Sequence, residues 1–171
     1  LRAVRVGVVA DEAEAERIAA QVGFSTADLV SCRIGKCRIW SDFLLHGDGF
    51  GRLLVAANGM PPMDLGRLVQ KLQELGNYRN MALLGLPMAQ EKAREVADAE
   101  TAVVDIAARM ARGEGDRALL DELSMLASRV TSLTAETAFR MSATAAYTSS
   151  AIDRLEQLPC TAIEGFITLE E

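Results

Sequence analysis

The chain has 171 residues and a mass of 18.4 kDa, which predicts one domain, or one compact unit with a long helical extension. Half of its residues are hydrophobic and 25% are charged, a balance that excludes intrinsic disorder. The net charge of −6 argues against a nucleic-acid-binding protein, since such proteins present a basic surface to phosphates. No apolar run approaches the ~20 residues of a membrane span, so we expect this segment to be soluble.

The first elements are a strand and a short helix. Residues 2–10 are rich in β-branched side chains and predict a strand. Asp11 followed by Glu14 resembles a capping box, which predicts a helix beginning there and continuing to about Val22. Gly23 then stands where a left-handed residue commonly ends a helix.

A β-hairpin is predicted next. Apolar residues alternate on either side of Gly35-Lys36, and a two-residue loop with glycine first is typical of a type II′ turn. In that register Ile34 pairs with Cys37 and Cys32 pairs with Ile39. The thiols of Cys32 and Cys37 are then diagonal neighbours on one face, and no disulfide is required.

The strand over 52–57 is followed by Asn58-Gly59 and by Pro61-Pro62, which end the sheet region. Residues 1–60 therefore predict a small β-α-β-β-β unit. We expect Trp40 to be covered by a helix, or else to form an exposed contact.

Residues 61–158 predict a long antiparallel helical hairpin that resembles a coiled coil, and the fold class as a whole is α+β. Two series of apolar residues step by three and four: Val96, Ala99, Val103, Ile106 and Met110, then Leu119, Leu123, Leu126, Val130 and Leu133. Pro87 predicts a kink or a break in the first long helix. Gly113-Glu114-Gly115 predicts the turn, Asp116 is the expected cap of the next helix, and 159–171 is expected to be a tail.

Small residues dominate 134–151, and they would let another element approach this part of the second helix closely. We expect this end of the hairpin to lie against the α+β unit or against a neighbouring chain.

Few residues are candidates for catalysis or ligand binding, and we predict no catalytic, cofactor-binding or metal-binding residues. His46 can pair with Asp42 or Asp48, but no nucleophile is identifiable beside it. Cys32, Cys37 and Cys160 lack the spacing of a zinc site or of a disulfide framework. The hairpin residues Arg33, Lys36 and Arg38 form a basic tip that either contacts anionic lipid or an acidic partner, or is an ordinary solvated edge.

Several segments together resemble a known family: Trp40–Phe43, His46–Gly51, Gly51–Val55, Gly66–Leu72, Tyr78–Pro87 and Thr137–Tyr147. The family consists of uncharacterised bacterial membrane-anchored proteins that share a domain of unknown function. The resemblance covers the chain as a central soluble fragment, and it implies a membrane anchor outside this segment, with the fragment on the cytoplasmic side. It implies no reaction and no catalytic residues.

Two functions follow as hypotheses. The first is a non-catalytic interaction or scaffold domain, which binds a protein partner or self-associates through its helices, for instance as a homodimer, and does not bind nucleic acid. The alternative is the soluble domain of a CorA-like divalent-cation transporter, an analogy of architecture alone.

Overall fold

The fold is described by a computed structural model, in which residues 3–114 and 117–170 are described. In chain order the elements are β1 (Ala3–Val9), α1 (Glu12–Val22), β2 (Val30–Ile34), β3 (Cys37–Ser41), β4 (Phe50–Ala56), α2 (Pro62–Leu83), α3 (Leu86–Ala111), α4 (Arg117–Glu156) and β5 (Thr161–Ala162). The predicted α+β class and the predicted β-α-β-β-β order of its first part are confirmed.

The five strands form one mixed sheet in the order β1-β4-β3-β2-β5. β1 runs parallel to β4, whereas the pairs β4-β3, β3-β2 and β2-β5 are antiparallel. The parallel pair exists because α1 and the β2-β3 hairpin intervene between β1 and β4 in the chain.

Local sequence signals account for the first helix. The backbone N–H of Glu14 donates to Oδ1 of Asp11 at 2.9 Å, and the Glu14 carboxylate accepts from the N–H of Ala10 at 3.2 Å. These bonds satisfy donors that the first turn of a helix cannot satisfy by itself. Gly23 ends α1 with φ of +73°, so the predicted cap and terminator are both confirmed.

The predicted hairpin register is confirmed residue by residue. Ile34 pairs with Cys37 and Cys32 pairs with Ile39, on either side of a turn in which Gly35 has φ of +60°. A positive φ at the first loop position suits glycine, which explains why the turn falls there.

The strands β2, β3 and β4 are covered on both faces of the sheet, whereas most of β1 is exposed. On one face, buried strand residues such as Ile39 and Val55 pack with Leu68, Leu72 and Leu75 of α2 and with Leu158. On the other face, Trp40, Leu54 and Ala56 pack against Ala15 of α1. Trp40 is therefore covered by a helix, which was the first of the two expectations for it.

The helical run after residue 61 is interrupted once before α4. α2 ends at Leu83 and α3 begins at Leu86, with Pro87 in the first turn of α3, where its missing N–H and fixed φ are tolerated. The structure therefore has a break at the predicted position. Gly115 of the predicted turn and the predicted cap Asp116 lie outside the described residues, as do Arg2 of the first predicted strand and Glu171 of the tail.

The chain divides into two compact units. The sheet unit comprises Leu1–Arg79 and Ser149–Glu171, and the helical unit comprises Asn80–Thr148. No helix among the described residues is both long enough and apolar enough to cross a membrane.

The expected tail contributes structure that the sequence analysis did not assign. Thr161 and Ala162 form β5, which pairs with Arg33 and Cys32 of β2. The N–H of Ser31 also donates to the carbonyl of Ile167 at 3.0 Å. The C-terminal segment therefore shields one edge of the sheet.

Candidate functional site

The histidine–carboxylate pair lies in the segment that follows β3. Nε2 of His46 lies 2.9 Å from Oδ2 of Asp42, whose side chain is fully buried. The backbone N–H groups of Ser25 and Leu44 donate to the same carboxylate at 3.0 and 3.2 Å. Burial raises the pKa of Asp42, but these two N–H groups and His46 outweigh it, so the net pKa is lowered and the carboxylate stays ionised.

Of the two carboxylates considered for His46, the structure brings only Asp42 to it. Asp48 instead pairs with Arg5, at 3.2 Å, and accepts the N–H of Phe50. Hydrogen bonding from that N–H lowers the pKa of Asp48.

The hydroxyls nearest in sequence to this pair are directed elsewhere. Ser25 Oγ donates to Asp28, at 2.9 Å, and Ser41 Oγ donates to the carbonyl of Arg52, at 2.8 Å. A nucleophile must share a hydrogen bond with its base, which these hydroxyls do not. The Asp42 carboxylate ties together the loop before β2 and the loop after β3, which is a structural arrangement.

The predicted basic tip of the hairpin is not a free cationic surface. Both Arg33 and Arg38 donate to the carboxylate of Glu12, and Arg38 also contacts Glu16 at 3.1 Å. Hydrogen bonding from Arg33 lowers the pKa of Glu12. Two of the three charges are thus neutralised by α1, and the interpretation of a lipid-binding tip loses its support.

Arg38 is buried because aromatic rings stack on it. Its guanidinium lies 4.5 Å from the ring centre of Trp40 and 5.1 Å from that of Phe166, and its Nε donates to Ser31 Oγ. A delocalised guanidinium is well suited to this environment, since it combines ring stacking with ion pairing. The sequence does not reveal this role, because Phe166 and Glu16 are far from Arg38 in the chain.

The thiols form a contact that the sequence analysis did not consider. Cys32 lies beside Cys160, and burial together with this neighbour raises the pKa of Cys32 to about 12. Cys32 pairs with Ala162 of β5, and Cys160 lies two residues before Ala162, just ahead of that strand. Cys37 is separate, and its Sγ contacts the carbonyl of Ala57 and the sulfur of Met60. These residues pack in the core, and no group of three or more His, Cys, Asp or Glu side chains within 3–114 and 117–170 could hold a metal.

The helical unit contains an open apolar groove of about 600 Å³ between α3 and α4. The α3 side is formed mainly by Ala89, Ala93, Val96, Ala99 and Val103, and the α4 side by Val130, Leu133, Thr134, Thr137 and Met141. Steps of three and four place each set on one helix face. The groove therefore presents to solvent the aliphatic side chains of one face of α3 and one face of α4.

Ion pairs occupy a different stripe of α4. Arg109 contacts Glu122 at 2.6 Å, Arg129 contacts Asp98 at 3.9 Å and Lys92 contacts Glu136 at 3.0 Å. The α4 partners 122, 129 and 136 are seven residues apart and share a face, and their α3 partners occur in the opposite sequence order. The Arg109 and Arg129 pairs thus form a polar edge of the α3–α4 contact, whereas Lys92 also lines the groove along the other edge and brings one ion pair to it.

Small residues permit a close approach within this unit. A Cβ added at Gly85 would overlap Oγ1 of Thr144, so only glycine fits at the start of α3 in this position. Farther along, Ala151 and Leu155 pack on the core of the sheet unit. The close approach that the sequence predicted for the small-residue segment is thus observed at Thr144.

The apolar stepping that forms the groove was visible in the sequence as a heptad-like series. The sequence did not reveal which members of the series would be covered. That distinction depends on the position of α4 beside α3.

Comparison with known proteins gives one match. A family model described as a protein of unknown function, DUF3422, matches residues 1–171. No curated protein and no solved structure matches the chain. Because the model covers the full length, the chain belongs to the DUF3422 family of proteins of unknown function.

Proposed function

We propose that the chain is a non-catalytic interaction module, in which α3 and α4 form an antiparallel, coiled-coil-like hairpin whose apolar groove binds a helix. That helix belongs to a partner protein or to another copy of the chain. Two helices that present aliphatic side chains at steps of three and four form the kind of surface that accepts an amphipathic helix.

The unequal edges of the α3–α4 pair carry this proposal. A pair of helices that is surrounded by water is most stable when polar side chains line both edges of the contact between the helices. Here the Arg109–Glu122 and Arg129–Asp98 pairs follow one edge, whereas Val96 and Val103 remain exposed along the other. A groove of this kind lowers its free energy when a partner removes it from water.

Catalysis has no comparable support. His46 and Asp42 are joined to each other and to backbone N–H groups, and the adjoining serine hydroxyls donate to other acceptors. The arrangement lacks the nucleophile–base contact that acyl or group transfer needs.

The membrane anchor and the cytoplasmic side, which the family resemblance implies, belong to the same proposal. An interaction module held at a membrane would bring its partner there. The transporter alternative gains no observation in its favour from the described residues, and its test is whether Mg²⁺ changes the assembly state.

Site-specific photocrosslinking tests the module. We would replace Val103, in the groove, by a photoreactive phenylalanine analogue in the full-length protein in its own cells. Adducts identified by peptide mass spectrometry should carry the crosslink on one face of an amphipathic helix. The same analogue at Val104, which is exposed but does not line the groove, is the matched control.

Adducts from position 103 that are absent from position 104 would support the module. Equal labelling from both positions, or no adduct from either, would contradict it.

A further inference from the structure

The apolar series of α3 is covered on one side only. Ala99 and Ile106 are 7% and 6% exposed, whereas Val96, Val103 and Met110 are 43%, 51% and 57% exposed. Each set recurs every seven residues, so each forms its own row along the helix. The covered row packs against one neighbouring helix. In a four-helix bundle, by contrast, each helix packs against two neighbours. The exposed row therefore lacks its second neighbour.

We propose that a second copy of this chain supplies that neighbour, so that two α3–α4 pairs join groove to groove in a twofold-symmetric, antiparallel four-helix bundle. The inference rests on the proposed function, because it names the occupant of the groove. In such a dimer the same surface is used twice, so it must be complementary to itself.

The α3 sequence meets that requirement when two α3 helices cross antiparallel with Val96 at the twofold axis. Residues equidistant from Val96 then lie at the same level, which sets Lys92 of one copy beside Glu100 of the other, twice. Both residues line the groove, and Glu100 of the other copy would join Glu95 and Glu136, which already contact Lys92 within its own copy. Along α3, opposite charges thus meet across the dimer, and like charges do not.

The side-chain volumes also agree with this register. It sets Val103 of one copy beside the smaller Ala89 of the other. Large residues that face small ones let two helix faces interdigitate.

The surface is large enough for a dimer. With Val96 at the axis the two α3 helices overlap from Leu86 to Ile106, about 30 Å at the rise of an α-helix, and two helices that are each ~10 Å wide give about 600 Å² per copy. The dimer would then bury about 1,200 Å² in total, the lower limit for a specific interface. We therefore expect a dimer that dissociates on dilution.

Sedimentation equilibrium over a concentration series tests the dimer. The unmodified chain should approach twice its monomer mass as its concentration rises. Val103→Glu should weaken association by about a hundredfold or more, since it buries an unpaired charge in the interface. Val104→Glu, the matched control outside the groove, should dimerise as the unmodified chain does, and circular dichroism checks that both variants are folded.

Disulfide trapping tests the register. Val96→Cys should form a disulfide between copies when glutathione disulfide is added, because both thiols lie at the axis. Val103→Cys should not, because it faces Ala89, and the unmodified chain with its three native cysteines gives the baseline. Trapping of both variants would indicate a parallel dimer and overturn the proposed register.

A chain that stays monomeric, or a dimer that Val103→Glu leaves unchanged, would overturn the inference. The broader interaction module would survive that result if photocrosslinking from position 103 joined the groove to a helix of a different protein. It would fail with the dimer if position 103 gave no adduct.

Discussion

The sheet unit and the helical unit use hydrophobic residues in opposite ways. In the sheet unit the apolar side chains of β2 and β3 and most of those of β4 are covered on both faces of the sheet, and even the buried Arg38 has carboxylate, hydroxyl and aromatic partners. In the helical unit an aliphatic groove lies open beside a row of ion pairs. The two units of the chain thus differ in how much of their apolar surface is exposed to solvent.

The difference predicts where substitutions change stability and where they change association. A sheet covered by helices on both faces buries enough apolar area to maintain a fold by itself. A pair of helices buries one apolar row on each helix, and the second apolar row stays exposed and can contact a partner. Substitutions should therefore be costly for stability in the sheet unit and should affect association in the helical unit.

Replacing an aromatic side chain by alanine should give the largest difference in stability loss between the two units. Trp40 is 2% exposed and Phe139 is 83% exposed. We expect Trp40→Ala to lower the free energy of unfolding by about 3–5 kcal/mol, since it opens a cavity under α1 and removes the ring that stacks on Arg38. Phe139→Ala should change it by less than ~0.5 kcal/mol. Urea unfolding measures both, and similar losses in the two variants would refute the distinction.

The buried carboxylate should give the next largest effect. Asp42→Asn should cost about 2 kcal/mol at neutral pH, since it weakens acceptance from the Ser25 and Leu44 N–H groups and removes the charge beside His46.

The pH dependence of this loss follows from the lowered pKa of Asp42. The carboxylate contributes stability above its unfolded-state pKa of 3.8, and this contribution is lost as the pH falls through the lower folded-state value. Urea midpoints between about pH 6 and about pH 3 should therefore fall more steeply for the unmodified chain than for Asp42→Asn. Parallel pH profiles would contradict this account.

A glycine substitution tests the close approach in the helical unit. Gly85→Ala should cost about 1–3 kcal/mol because its methyl group would overlap Thr144, and Thr144→Ala in the same chain should restore part of the loss. Gly76→Ala, in α2 with open space around the added methyl, should instead stabilise by up to ~1 kcal/mol. Thermal unfolding compares the variants, and equal effects at both glycines would exclude the overlap.

Thiol chemistry should show the smallest effect. The raised pKa of Cys32 predicts that iodoacetamide at about pH 8 modifies Cys160 before Cys32 in the folded chain. Because the folded-state pKa lies above the unfolded value, the associated stability is complete below pH 9.0 and is lost as the pH rises through about 12. Between pH 9.0 and about pH 10 the unmodified chain should thus lose ~1 kcal/mol more than Cys32→Val. Fast modification of Cys32 would overturn this expectation.

Much of the sheet unit could be predicted because its signals are local. The cap at Asp11, the terminator at Gly23 and the turn at Gly35-Lys36 each depend on residues fewer than five positions apart. Such contacts form whatever the rest of the chain does. The α+β class and the hairpin register followed from them.

The candidate sites were less accessible to the same reasoning. From the sequence, either Asp42 or Asp48 could pair with His46. Only the folded structure shows that Asp42 contacts His46, whereas Asp48 contacts Arg5. Arg38 was predicted at an exposed tip, yet α1 and Phe166 bury it. The segment expected to be a tail supplies β5 and places Cys160 beside Cys32.

By itself, then, the sequence determined the α+β class, the caps and turns, and the stepping of apolar residues along α3 and α4. Those features depend on periodicity and on hydrogen bonds between near neighbours. Tertiary structure alone decided that Ala99 and Ile106 are covered while Val96, Val103 and Met110 remain exposed. A heptad pattern marks every seam residue alike, and only the position of the neighbouring helix distinguishes the covered row from the row left open.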